Sequence, residues 1–420
     1  MLSLERPRMR ERDLEGELDG FVEAHQAELI DFRRDLHAHP EVGYHEHRTT
    51  RQIAKRLSAA GLRPVTLPKG TGLLVDIGDP ASAGPVIALR ADIDALPIGD
   101  EKNVPYRSTY ANACHACGHD VHTSILVGTG LFLARRAAAG QLDGRVRLIF
   151  QPAEEVPGGA LDVLAAGGIA SADRIFALHC DPRLDVGKIG TRAGPITAAC
   201  DKILVHVAGP GGHTARPHLT ADLVYALGKI ITELPAALSR RVDPRSSLSL
   251  VWGRVSAGTA ANAIPDDGVV EGTVRCLDDQ AWHAAPDLLK ALLESVASAY
   301  GVIADLTYQR NVPPTVNEAV STAMIDAAAE RVLGPDSITP APQSLGGEDF
   351  AWYLESIPGA LFRLGTRAPG SADDFDIHQP AFDVDERAIG LGVKLMAATA
   401  LTAISGDVAM TEPMPRGARA

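Results

Sequence analysis

Two glutamates stand side by side in Gln151-Pro152-Ala153-Glu154-Glu155, directly after the apolar run Arg145-Val146-Arg147-Leu148-Ile149-Phe150. Adjacent carboxylates beyond the end of a buried strand repel each other unless a cation or a shared proton compensates, and functional side chains of open α/β sheets collect at that end. A metal site is the chemistry this placement suggests. The densest set of ligand-type residues, Cys114-His115-Ala116-Cys117-Gly118-His119-Asp120-Val121-His122, immediately precedes a helical stretch. Thiolate, imidazole and carboxylate together suit zinc and its borderline neighbours. No second Cys-x-x-Cys pair exists, so a closed four-cysteine site is excluded and further ligands must come from elsewhere. The candidates are Asp92, Asp94, the Glu154-Glu155 pair, His179 and His378, each at a strand end or in a loop. One such residue alone is more often structural than a ligand, but four separated segments that each offer a ligand-type group describe a catalytic metal centre. Spacing leaves open which of them bind.

The elements that must position these groups follow from periodicity. Helical spacing covers Leu18 to Ala38, His45 to Ala60 and Val121 to Ala138; buried strands are expected at Val86-Ile87-Ala88-Leu89, at Arg145 to Phe150, and at Arg174 to Leu178, which would deliver His179 at its end. This alternation is an α/β pattern. From about Lys202 it changes to strand (Ile203–Val207), helix (Thr220–Leu238), strands (Ser247–Trp252, Val269–Cys276), helix (Ala281–Tyr300) and strand (Val302–Tyr308). The β-α-β-β-α-β order is that of a ferredoxin-like α/β sandwich able to fold as a unit. Helical patterns resume after Pro313-Pro314 at Glu318–Val332, Asp349–Glu355 and Asp385–Ile404, with a strand at Ala360–Leu364. The expected architecture is a discontinuous metal-binding domain, residues 1–195 and 311–420, with a mixed open sheet flanked by helices and an inserted second domain at 196–310. The tail from Gly406 to Ala420 is expected to be poorly ordered.

With 420 residues, 45% of them hydrophobic, the chain can bury a large core. A formal charge of -13 argues against a nucleic-acid or anionic-membrane partner. Five cysteines, an odd and sparse set, do not make a disulfide framework. Met1 to Gly20 has no apolar run suited to a signal peptide or a membrane span, so a cytoplasmic protein is expected. Gly128-Thr129-Gly130 follows a helix start and lacks a third glycine, and no Walker-type loop is present, so nucleotide binding is not supported.

These stretches resemble the dinuclear metal amidohydrolases and peptidases that include aminoacylases, hippurate hydrolase and the indole-acetyl-amino-acid hydrolases. The resemblance runs from Phe32-Arg33-Arg34-Asp35-Leu36-His37 through Arg90 to Pro97, His115 to His122, Gln151 to Glu155, Gly211-Gly212-His213, Asn262-Ala263-Ile264-Pro265-Asp266, Gly346-Gly347-Glu348-Asp349-Phe350 and His378. It implies Cys117, His119, Glu155, His179 and His378 as ligands of two divalent ions per subunit, zinc or manganese with cobalt or nickel as further options, and Glu154 as general base. Wider relatives use a His-x-Asp motif where this chain has Asp92-Ile93-Asp94. Cys117 marks the branch that lacks that His, so Asp92 and Asp94 are expected to orient ligands.

The resemblance also implies that His213 donates to the developing oxyanion from a neighbouring subunit. The inserted domain would then be a lid and the interface of a homodimer. Its loop carries Pro210 where many relatives have Lys. Asn262 is expected to hydrogen-bond the substrate and Arg275 to pair with a substrate carboxylate. His37, His39, His115, His122 and His218 read as structural or as groups that support the ligands from behind, and Glu348 and Asp349 as caps of a helix. The activity implied is hydrolysis of the amide of a small N-acyl amino acid. A carboxypeptidase or dipeptidase using the same centre is the alternative, and the retained Glu154-Glu155 pair disfavours a non-catalytic metal-binding protein.

Overall fold

The computed structural model describes residues 12–371 and 375–406, so the expectation for the tail beyond Gly406 lies outside the described residues. The chain forms two compact units. One comprises residues up to Ala193, Asn317–Pro342 and the segment from Tyr353; the other comprises Gly194–Val316 and Gln343–Trp352.

The first unit is built on an eight-stranded mixed sheet: β1 (Val65–Thr66), β2 (Leu73–Ile77), β3 (Val86–Asp92), β4 (Arg145–Gln151), β5 (Arg174–Asp185), β6 (Ile189–Thr191), β7 (Ile338–Pro340) and β8 (Gly359–Arg367), in the spatial order β1-β2-β4-β3-β5-β8-β6-β7. β3 lies parallel to both β4 and β5. It is buried at every residue, as a strand covered on both faces must be. The helices are α1 (Arg12–Ala38), α2 (His47–Ala59), α3 (His119–Ala138), α4 (Gly159–Ala165), α5 (Ala319–Leu333) and α6 (Arg387–Ser405). α1 starts earlier than its expected boundary because Leu14 belongs to the stripe formed by Leu18, Phe21, Leu29, Phe32 and Leu36, all buried. β2 escaped the sequence reading: its five residues bury Leu73, Val75 and Ile77 but expose Asp76, too short an alternation to stand out beside Gly70-Thr71-Gly72. α6 is apolar enough and long enough to cross a membrane, yet 72% of that stretch is buried inside the protein, which makes it a core helix.

One expected boundary changes the site. The strand bearing His179 does not end there but runs on to Asp185. Its ladder with β3 stops at Ala177, while its ladder with β8 continues past His179 to Asp185. His179 therefore stands just beyond the point where β3 and β5 part, the crevice position of open α/β sheets.

In the second unit, strands Ser249–Ala257, Asp267–Cys276, Ala199–Ala208 and Ile303–Val312 form an antiparallel sheet in that spatial order. Helices Leu223–Leu238 and Asp279–Ser298 pack on it through Leu227, Ile230, Leu234, Leu289 and Leu293 against Ile203, Val205, Val270 and Val274. This is the ferredoxin-like order. Buried Asp201 accepts hydrogen bonds from Trp282 Nε1 (2.6 Å), Tyr308 (2.8 Å) and the Asn311 N–H (2.9 Å), tying the last strand to the second helix.

The segment Gln343–Trp352, read from sequence as part of the first domain, belongs to this unit. Its Ser344 exchanges backbone bonds with Ile196 and Ala198, and Trp352 packs edge-on to Trp282 while donating to Asn311 O. The helix expected there, Asp349–Glu355, shortens to the single turn Ala351–Leu354. Thr197 donates to Thr315 (2.6 Å), so the inserted stretch enters and leaves side by side.

Candidate metal centre

Strand ends and one helix start bring the site together in the first unit. β3 delivers Asp92 and then Asp94, β4 delivers Glu154 and Glu155, β5 carries His179, and α3 begins at His119. Cys117 and His119 flank Gly118, whose φ is 89°. A Cβ at Gly118 would also lie 2.9 Å from Cys180 Sγ. Both the backbone conformation and the space demand glycine. Gly118→Ala is accordingly expected to cost about 1–3 kcal/mol of stability, readable as a lowered thermal midpoint by far-ultraviolet circular dichroism.

Hydrogen bonds decide which ring nitrogens are available. His122 Nδ1 faces Asp92 Oδ1 at 2.6 Å, and its Nε2 accepts the Cys180 N–H at 2.8 Å. Both nitrogens are committed to protein partners, so His122 bridges Asp92 and the Cys180 backbone. Asp92 is held in turn by Arg90 Nη1 at 2.7 Å. His119 Nδ1 donates towards Asp94 O (2.9 Å) and Oδ1 (3.2 Å), leaving Nε2 buried without a hydrogen-bond partner. His179 Nδ1 donates to Cys180 O (2.8 Å), and its Nε2 lies 3.4 Å from Cys117 Sγ. Glu155 Oε1 also lacks a hydrogen-bond partner; it sits 3.2 Å from His378 Nε2 and 3.9 Å from His119 Nε2. His378 is fixed at φ 64° by its N–H bond to Ala116 O, next to Cys117.

Overlapping donor groups result. Cys117, His119 and His179 offer ligand atoms within 4.8 Å of one another, as do Cys117, Glu155 and His378, and His119, Glu154 and Glu155. Glu154 stands beside them, with Oε2 4.0 Å from His119 Nε2. Burial, and then the Glu155 charge, push the Cys117 thiol well above its ordinary value, so a thiolate here calls for a cation. Burial, with Arg363, keeps His179 neutral and its lone pair available. Orphaned donor atoms and a thiol, imidazole and carboxylate set around one space fit divalent metal ions.

Behind these donor side chains lies a buried charge network. Asp120, adjacent to His119, meets Arg33 Nε and His37 Nδ1 at 2.7 Å each, and Arg33 continues to Asp383 (3.1 Å) and Glu386 (3.3 Å). His115 is fully buried and pushed down to about 3 by that burial, a neutral packing group. His39 bonds the Asp35 carbonyl of its own helix. Among residues missed from sequence, Glu46 and Arg90 stand out. Glu46 lies outside the ligand-type clusters and its partner Ala153 is distant in the chain, while Arg90 reaches Gln151 (2.9 Å) on the neighbouring strand as well as the nearby Asp92.

The remaining candidates lie in the second unit. His213 and Asn262 are exposed and share one turn of structure: Gly212–His213 pairs with Ala263–Ile264, His213 Nδ1 accepts the Ala215 N–H (3.0 Å), and Asn262 O accepts from Thr214. His218 is exposed in a short turn of helix, Pro217–Leu219. Arg275 directs its guanidinium at the Leu345 carbonyl, which makes it a clasp for the 343–352 segment in this structure. Glu348 is buried and accepts the Phe350 N–H (3.0 Å), as a cap would.

The chain matches the model of peptidase family M20/M25/M40 over residues 88–402. It is 39% identical over 379 residues to the N-acetylcysteine deacetylase of Bacillus subtilis, covering 90% of this chain and 97% of that one. A Rhodococcus jostii protein that bears the name glutamate–cysteine ligase 2-3 is 46% identical over 387 residues, 92% of this chain but 48% of its own length; the chain spans about half of that protein. Among solved structures, the Bacillus subtilis YXEP protein, described as a dinuclear metal binding peptidase of the M20 family, superposes with a TM-score of 0.80 at 36% identity over 91% of this chain and 99% of its own. The chain belongs to peptidase family M20/M25/M40, and it is a metal-dependent amidohydrolase of that family.

Proposed function

We propose that the substrate is a small N-acyl amino acid, cleaved at its amide to a carboxylic acid and a free amino acid. The observation that carries this reading is the Glu154 carboxylate standing at the edge of the Cys117, His119, Glu155, His179 and His378 donor set. Kinship with an N-acetylcysteine deacetylase over nearly all of both chains supports the substrate class. Two divalent ions, zinc or manganese with cobalt or nickel as alternatives, would be held by those five residues and would supply Lewis acidity that acidifies water and polarises the scissile carbonyl. Glu154 takes the proton of the attacking water and returns it to the leaving amine. Asp94 fixes the His119 tautomer, and Asp92 fixes His122 behind it.

His213 is the donor assigned to the oxyanion, from a second copy of the chain, with Asn262 on the substrate. A homodimer through the second unit, in the cytoplasm, completes the reading. The exposed edge strand Ser249–Ala257, with Val251 62% and Val255 57% exposed, supports pairing of two copies there.

The test is release of amino acid from N-acetyl, N-benzoyl and indole-acetyl amino acids and from dipeptides. Chelator-stripped protein is expected to be inactive on all of them, and zinc or manganese to restore turnover on the acylated amino acids. Restored cleavage confined to dipeptides would replace this reading with a dipeptidase.

A further inference from the structure

The turn that carries Glu154 and Glu155 is held in an unfavourable conformation. Ala153 has φ 56°, in the left-handed region that a residue with a Cβ rarely adopts. Such a geometry persists only where its surroundings over-determine it, and these sites cluster where function requires them. Three contacts do so here. The Ile93 N–H donates to Gln151 O at 3.0 Å on the near side of the turn. Asp94 Oδ2 accepts the Glu155 N–H at 3.0 Å on the far side. At the strained residue itself, Glu46 Oε1 accepts the Ala153 N–H at 2.8 Å.

Glu46 is a costly residue for that task. It is fully buried, its Oε2 has no hydrogen-bond partner, and it is pushed up to about 7 by burial and by the charge of Asp94. It adds a carboxyl to a neighbourhood already holding Asp94, Glu154 and Glu155. The segment before it explains its reach. Val42 forms a parallel bridge with Ala95, and Glu41 O accepts the Ala95 N–H at 2.8 Å, next to Asp94. Glu41 also accepts the N–H groups of Arg48 (2.9 Å) and Thr49 (2.7 Å), which anchors the start of α2 around Glu46. Residues 41–46 thus clip the Asp94 loop at one end and the Glu154 turn at the other.

We infer that Glu46 is a positioning residue for this reaction: its carboxyl oxygen holds Ala153 in the left-handed conformation and thereby aims the Glu154 carboxylate. The inference rests on Glu154 being the base. It requires an acceptor at the length of a glutamate side chain and does not require charge. Glu46→Gln keeps the reach and loses the charge; Glu46→Asp keeps the charge and withdraws the oxygen. Both are conservative enough to fold, which a thermal midpoint checks. With metal-loaded protein and an N-acetyl amino acid, Glu46→Gln should hold kcat within about threefold, whereas Glu46→Asp should lose about tenfold in kcat with KM and bound metal unchanged. The reverse order, or wild-type kcat in both, overturns the inference. So does loss of metal in step with activity, which would make Glu46 merely structural. Glu154→Gln in the same series separates the two readings: if it is active, the base assignment fails; if it is inactive while Glu46→Asp is normal, only the role of Glu46 fails.

Discussion

Glu154→Gln is expected to retain its divalent ions and to lose about 10²–10⁴-fold in kcat. The amide is the same size and leaves Cys117, His119, Glu155, His179 and His378 untouched, so binding of the ions should survive. It cannot accept a proton from water or return one to the amine. The geometry sharpens the expectation, because Glu154 is the carboxylate next to the donor set that the ligand assignment leaves over, while Glu155 Oε1 faces His378 and His119. Metal content by mass spectrometry and kcat on N-acetyl amino acids are the paired readouts. A full complement of metal with wild-type turnover would remove Glu154 from the mechanism, and loss of metal would make it a ligand.

Arg33→Met should be the most destabilising of the substitutions considered. Arg33 and Asp120 are both completely buried, and removing one partner of a buried pair typically costs about 3–5 kcal/mol because the other charge is stranded. Asp383 and Glu386 keep other partners in Tyr106 and Arg34, but Asp120 would be left with His37. Burial opposes ionisation of Asp120; Arg33 and then His37 overcome it and hold the group well below the usual carboxylate range. A depressed carboxylate adds stability above its unfolded-state value and loses it as the pH falls through the folded one. The difference between variant and parent should therefore shrink in acid. The readout can be made unit-specific: all three tryptophans, Trp252, Trp282 and Trp352, lie in the second unit. The circular dichroism transition in urea should shift to lower denaturant while the tryptophan fluorescence transition holds. A variant with both transitions unmoved would show that the network contributes nothing.

Much of the site was legible because its residues come as adjacent types. Cys117 and His119 flank a glycine that only that turn can use, and Glu154-Glu155 follows an apolar run whose strand could be read directly. The ferredoxin-like unit was legible because its two helices and four strands each carry a clean period. What stayed hidden depends on partners distant in sequence. Nothing local in His45-Glu46-His47 announces a bond to Ala153, and nothing in Arg33 announces Asp120. The true extent of β5 was unreadable because Asp181, Pro182, Arg183 and Asp185 break the apolar run, and the stretch is kept in a strand by β8. The allegiance of Gln343–Trp352 was equally hidden, since it is set by backbone pairing to Ile196 and Ala198 and by the meeting of Trp352 with Trp282.

The two ends of the stretch 194–316 run side by side, joined near their termini by Thr197 and Thr315. A module whose ends meet can be spliced into a host loop with little disturbance to the host, and exchanged in the same way. Here the cassette has a second piece, because residues 343–352 complete it from further along the chain. A graft of the inserted stretch alone would leave Trp282 and Asn311 without Trp352 and Arg275 without Leu345. A chimaera with a relative should therefore fold only when both pieces are transplanted together.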